Sequence, residues 1–127
     1  MRLVGPVNSG ICAGGAGTST ANADTPVRIC GRLVAAYVEY LDTPPGTTDV
    51  IIKTKGASPS PPSVTFLTLT NKNTSGWFFP RVIPDDLLGV DLASLAVAEP
   101  IPFDDFINIS IAQANDGDGV NVWLLVE

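Results

Sequence analysis

Ile107, Ile109 and Ile111 alternate with Asn108, Ser110 and Ala112, and Val120, Val122, Leu124 and Val126 alternate with Asn121, Trp123 and Leu125. An apolar residue at every second position marks a strand with one buried face. Between the two runs lie Asn115, Asp116-Gly117 and Asp118-Gly119, which tolerate the positive φ of tight turns. The pattern predicts a β-hairpin closing the chain, its last strand tied into a sheet because a loose one would fray.

The same pattern recurs upstream. Arg28 to Leu41 is apolar at both alternating sets, which predicts a central strand covered on both faces. Gly31, the β-branched residues and two tyrosines argue against a helix there. Asp42-Thr43-Pro44-Pro45-Gly46 reads as a turn, Thr47–Thr54 as a strand, Gly56–Ser63 as an exposed loop and Val64–Thr70 as a further strand. Asn71 to Gly76 reads as a long hairpin loop before a strand opening on Trp77-Phe78-Phe79-Pro80. Three consecutive aromatics put rings on both faces, either as core or as an exposed anchor. Over Pro84–Pro100, Leu88, Leu92 and Leu95 have helical spacing, with Asp85 and Asp86 suited to a helix N-terminus and Gly89 against it. A long connection with at most one helical turn is expected.

Residues 1–26 differ. Beyond Leu3, Val4 and Val7, which could pair briefly as a strand, the segment is mostly Gly, Ala, Ser, Thr and Asn. Such residues bury little area and lose much entropy on ordering. The segment reads as an arm, either a free tail or one that orders along a neighbouring subunit with Leu3, Val4 and Val7 as anchors. The fold class expected is all-β: one antiparallel β-sandwich or jelly-roll-like domain over residues 27–127, with an extended N-terminal arm over 1–26.

Composition supports that reading. With 127 residues, 45% hydrophobic, the chain suits one domain with a real core, and 11 prolines and 12 glycines favour many short strands. No apolar run is long enough to span a bilayer, and the start of the chain lacks a signal peptide's apolar stretch. Cytoplasmic synthesis without membrane association is expected. Cys12 and Cys30 read as reduced thiols in that setting.

Charge is divided along the chain. Residues 1–81 hold all seven basic residues and four acidic ones, and residues 82–127 hold nine acidic residues and no basic one, which together give −6. This balance disfavours nucleic acid, whose phosphates are held by Lys and Arg. It fits plain solubility, or subunits meeting positive end to negative end.

Catalytic signals are missing. There is no histidine, so Ser–His and Cys–His pairs are excluded. Gly14-Gly15-Ala16-Gly17 lacks the strand–helix context of a phosphate loop. Asp85-Asp86 and Asp104-Asp105 are adjacent in sequence, so on a strand their side chains diverge. Asp116 and Asp118 could offer oxygens to calcium, but the spacing is not that of an EF-hand, and a plain turn is the stronger reading. No enzyme activity, cofactor or metal is expected.

Three stretches carry a resemblance. They are Leu33–Thr54, with Ala35-Ala36-Tyr37-Val38-Glu39-Tyr40 leading into Thr47-Thr48-Asp49-Val50; Thr65–Val82, with Leu67-Thr68-Leu69-Thr70-Asn71 leading to Gly76-Trp77-Phe78-Phe79-Pro80-Arg81; and Pro100–Glu127. Over roughly residues 30–127 the chain resembles tailed-bacteriophage capsid decoration, or cement, proteins. The resemblance implies a β-sandwich-like structural virion protein on the capsid outer surface, made in the host cytoplasm. Its partner would be the major capsid protein, whose neighbouring subunits it would bridge. Homo-oligomerisation is expected, a trimer over a dimer. The candidate partner-contacting residues are Leu3, Val4, Val7, Trp77, Phe78, Phe79 and Arg81. The alternative is a tail-fibre-associated carbohydrate- or receptor-binding module, with Trp77, Phe78 or Trp123 as a sugar platform.

Overall fold

A computed structural model of the chain describes residues 1–57, 60–92 and 97–127. Among them are nine strands: β1 (Arg2–Asn8), β2 (Ser19–Asp24), β3 (Ile29–Leu41), β4 (Asp49–Thr54), β5 (Thr65–Leu69), β6 (Gly76–Phe78), β7 (Ile101–Asp105), β8 (Ile107–Ala114) and β9 (Gly119–Val126). They form two antiparallel sheets packed as a β-sandwich, as the alternation predicts. The larger sheet runs β1-β9-β3-β6, with β7 also paired to β3, and the smaller runs β2-β8-β4-β5. Two residues of the Gly56–Ser63 loop reading, 58 and 59, lie outside the described residues.

The core lies between β8 and β9. Ile107, Ile109 and Ile111 of β8 are buried, as are Val120, Val122, Leu124 and Val126 of β9. Full burial of such a side chain contributes about 1.5–3 kcal/mol relative to exposure. Leu33, Ala36 and Val38 of β3 and Val50 and Ile52 of β4 extend the two rows.

The expected closing hairpin is not formed. β8 pairs with β2 and β4, and β9 with β1 and β3, so the turn between them carries the chain from one sheet to the other. Paired edge to edge, the two apolar rows would lie on one side of a single sheet and need another cover. Facing each other across the sandwich, they cover one another. The Asn71–Gly76 connection likewise crosses between sheets instead of closing a hairpin.

The 115–118 turn is held by its own chemistry. Asp118 is buried, its Oδ2 accepts the Asn115 N–H at 2.8 Å, and Gly117 sits at φ 92°. The segment after β1 lies on this turn. Cys12 N–H donates to Asp118 O at 2.7 Å, and Gly117 N–H donates to Cys12 O at 3.0 Å. Cys12 is buried and free, and burial, followed by the charges of Asp118 and Asp116, pushes its thiol pKa up.

Residues 1–26 therefore do not form a separate arm in this chain. β1 pairs along β9 and β2 pairs along β8, one strand in each sheet. Backbone pairing, which the small side chains of this segment permit at close range, supplies what side-chain burial does not. Gly5 shows the constraint: at φ 134°, an added Cβ would lie 2.7 Å from Val122 O and 3.1 Å from Trp123 Cα.

Two outcomes follow. Deleting residues 1–26 strips an edge strand from each sheet and uncovers Val122 and Ile111, so the shortened chain is expected to lose cooperative thermal unfolding. A fragment melting like the full chain would contradict the pairing. Tyr40 carries a buried hydroxyl with no hydrogen-bond partner among the described residues, and burial, followed by the Asp49 charge, pushes its pKa to about 12. Tyr40→Phe is expected to be neutral or to stabilise by up to about 1 kcal/mol, since it removes an unsatisfied polar atom. The folded value lies above the unfolded one, so the wild-type chain, and not Tyr40→Phe, loses stability through this group as pH rises from about 10 toward about 12. Denaturant titrations of both proteins across that range check it.

Candidate functional site

The outer faces of the two sheets differ in chemistry. On the smaller sheet, Asn22, Asp24, Lys53, Lys55, Asn108 and Ser110 line a shallow polar depression. Several of these groups satisfy each other: Asn108 Nδ2 donates to Asp24 Oδ1 at 2.9 Å, and Lys55 Nζ lies 3.2 Å from Asp24 Oδ2. The Asn108 hydrogen bond, followed by Lys55, holds the Asp24 pKa below its ordinary value against the opposing effect of burial. The depression reads as a solvated face.

The larger sheet presents rings. Tyr37 pairs with Trp123 on one side and Trp77 on the other, so the three stand across β9, β3 and β6 on one face. Tyr37 lies 5.3 Å from Trp77 and 5.7 Å from Trp123 between ring centroids, tilted at 55° and 57°. These are favourable aromatic separations. A second row runs beside them. Leu3 pairs with Leu125, and Leu125 with Ala35. Ala35 is fully buried although it belongs to the outer face, because Trp77, Phe79 and Leu125 stand around it. The small floor and tall walls make two adjoining apolar grooves. Leu3 is 58% exposed, Trp77 49% and Phe79 62%.

Alternation sorts the expected contact residues. Leu3, Trp77 and Phe79 face outward together. Arg81 follows them, its guanidinium donating to Val34 O and Pro80 O, each at 2.7 Å. Val7 is buried, and Val4 and Phe78 pack against the core, so these three are unavailable to a partner. Tyr37 and Leu125 join the face without having been singled out, because their place there depends on strand register. Trp123, considered only for sugar stacking, belongs to it too.

Between β6 and β7 the chain leaves the sheet edge as a tongue. Val82 and Glu99 exchange both backbone hydrogen bonds at 2.8 Å and close its base. Beyond them, Leu92 N–H donates to Pro84 O at 3.1 Å and Asp86 N–H to Val90 O at 2.7 Å, with Asp85 opposite Asp91. Residues 84–92 thus form a tight β-turned tip where helical spacing suggested a turn of helix; Leu95, the third leucine of that reading, lies outside the described residues. Asp86 fixes the tip, its Oδ1 accepting Leu88 N–H at 2.8 Å and Val90 N–H at 3.0 Å. Leu87 is fully exposed and Leu88 is 88% exposed.

Other acidic pairs have structural partners. Asp104 binds Arg28 at 2.9 Å, and Asp105 accepts Gly56 N–H at 2.7 Å. Asp118 is committed to its turn, and among the described residues no three His, Cys, Asp or Glu side chains gather as metal ligands. No family model, curated protein or solved structure matches this chain.

Hydrogen bonding to Asp91, followed by desolvation and the charge of Asp91, raises the Asp85 pKa above the ordinary carboxylate value. A raised carboxyl favours the folded hairpin in its protonated state, so the tongue is expected to loosen as pH rises through that pKa. Hydrogen exchange at the Asp86 and Val90 amides, corrected for intrinsic rate, should show protection falling across the carboxylate range. Asp85→Asn should flatten that dependence, and an identical profile in both proteins would contradict it.

Proposed function

We propose that this chain is a decoration, or cement, protein of a tailed-phage head. It binds the capsid outer surface as a homo-oligomer, a trimer over a dimer, and bridges neighbouring major capsid subunits. The observation that carries the reading is the exposed aromatic face of the larger sheet. Aromatic anchors over a small-residue floor are the composition of protein-docking surfaces. The net charge of −6 suits an outer shell surface and not a DNA-lined interior. The resemblance over residues 30–127 points the same way.

Bridging by a free N-terminal arm is not part of this proposal, because residues 1–26 are strands of the chain's own sheets. The sandwich face takes that role. Each copy contributes one patch, and an oligomer makes every contact after the first effectively intramolecular, so modest single contacts hold firmly together.

The tail-fibre alternative is weaker on this geometry. Phe78 is turned inward. Among the side chains lining the first groove, Leu3, Tyr37, Trp77 and Trp123, the only polar atoms are one hydroxyl and two indole N–H groups. Selecting a sugar requires several placed hydrogen-bonding groups for its hydroxyls.

The test is sedimentation with expanded, undecorated heads. The wild-type chain is expected to pellet with heads and raise their resistance to heat. The paired change Trp77→Ala and Phe79→Ala should weaken retention by at least about tenfold, compared at a temperature where both proteins are fully folded, because Trp77 is half-buried against Tyr37 and its loss also lowers stability somewhat. A wild-type chain that ignores heads, or pellets with tails instead, would overturn the proposal.

A further inference from the structure

Charge on the outer face of the larger sheet is one-sided. Glu39 lies on that face, next but one to Tyr37 along β3 and opposite Asn121 of β9. Among the described residues its carboxylate makes no ion pair, and Asn121 Oδ1 is taken by Asn8 Nδ2. The cations of the chain are placed elsewhere. Arg28, Arg32 and Lys55 are ion-paired. Arg2 stands opposite Val126, on the core side of β1, and Lys72 Nζ lies 5.6 Å from the ring of Phe78, which packs against the core. Lys53 belongs to the smaller sheet, and Arg81 is tied to Val34 O and Pro80 O at the Phe79 end. The groove lined by Leu3, Tyr37, Trp77 and Trp123 thus has a carboxylate beside it and no cation of its own.

We infer that this groove takes an arginine side chain of the capsid subunit, its guanidinium held against the rings and paired with Glu39. The inference rests on the decoration reading above and names the group that anchors the aromatic face.

Ring geometry supports a cation. A cation over an aromatic face is attracted by the ring quadrupole, most strongly by that of Trp, and gains when water is excluded. Tyr37 stands between Trp77 and Trp123 at 5.3 and 5.7 Å, tilted at 55° and 57°. Tilted packing leaves ring faces uncovered where flat stacking would close them. Size points to a single side chain. The groove holds about 230 Å³, below the roughly 300–1,000 Å³ of pockets for drug-sized molecules.

The choice among side chains follows from Glu39. An apolar occupant would use the rings but strip water from the carboxylate beside them without supplying a counter-charge, which opposes docking. A lysine ammonium would pair with Glu39 but is compact and strongly hydrated. The guanidinium of arginine is planar and weakly hydrated, stacks on rings, and keeps N–H groups at its edge for a carboxylate. Glu39 and Trp123 are diagonal neighbours across β3 and β9. Such positions lie about 7–8 Å apart, a gap that long side chains bridge.

Two measurements test this. In the first, the full chain is titrated with N-acetyl-arginine amide and with N-acetyl-citrulline amide, a neutral probe of nearly the same shape, while NMR follows the indole N–H signals of Trp77 and Trp123. The arginine probe is expected to shift both indoles and to bind at least about threefold more tightly than the citrulline probe. In Glu39→Gln that preference should shrink. Equal binding of the two probes, or no response at either indole, would overturn the inference. In the second, Glu39→Gln and Trp77→Leu, each shown to be folded by its melting curve, are compared with the wild-type chain for retention on expanded, undecorated heads. Glu39→Gln should weaken retention several-fold at low salt, and the gap should close at high salt as the pair is screened. Trp77→Leu keeps an apolar wall but removes the indole face, and should weaken retention at both. Full retention of Glu39→Gln at low salt would also overturn the inference. The two proposals fail separately. Selective arginine binding by a chain that ignores heads removes the decoration reading and leaves the groove's preference standing. Retention on heads that is lost in the paired Trp77→Ala and Phe79→Ala variant but untouched by Glu39→Gln does the reverse.

Discussion

The facing apolar rows of β8 and β9 are what the rest of the molecule depends on. Ile107, Ile109 and Ile111 look across the sandwich at Val120, Val122, Leu124 and Val126, and none of the seven reaches solvent. The turn joining the two strands is as necessary as the rows. Asp118 must be buried and bonded for so short a connection to pass from one sheet to the other. The N-terminal segment then closes over this turn through Cys12, and β1 and β2 follow β9 and β8 into separate sheets. The first and last stretches of the sequence thus build one end of the sandwich together.

That arrangement fixes what remains for the outside. Every strand has one face committed to the core, so function can be read only from the other faces and from the connections. The smaller sheet turns polar groups outward and satisfies several of them internally. The larger sheet turns outward two tryptophans, a tyrosine, a phenylalanine and two leucines. An apolar face of this kind, without a core requirement of its own, is the feature on which the proposed docking role rests.

Much of the fold is legible in the sequence, and the failures have a physical pattern. Alternation at residues 107–112 and 120–126 identifies strands and their buried faces. It does not identify which edge pairs with which, because pairing is made by backbone groups that every residue carries. For that reason the expected 107–127 hairpin became a crossing between sheets. For the Gly- and Ala-rich residues 1–26 the sequence suggests strand pairing at Leu3, Val4 and Val7 but not its partner, which is the chain's own β9 and β8 and not a neighbouring subunit. Alternation did hold the information that Trp77 and Phe79 share a face opposite to Phe78. The joining of Trp77 with Tyr37 and Trp123 depended on register and was not readable. In the tongue, leucine spacing mimicked a helix, while the Asp86 side chain, bonding to the backbone two and four residues on, selected a turn.

The proposed function claims that the aromatic face is covered when the protein works. Hydroxyl-radical footprinting read by mass spectrometry measures this directly at Trp77 and Phe79, comparing dilute free chain with chain bound to expanded phage heads. The account expects oxidation of both to fall sharply on the heads, while exposed residues of the opposite sheet, such as Asn22 and Thr68, change little. Unchanged oxidation at Trp77 and Phe79, with protection appearing on the polar sheet instead, would contradict it.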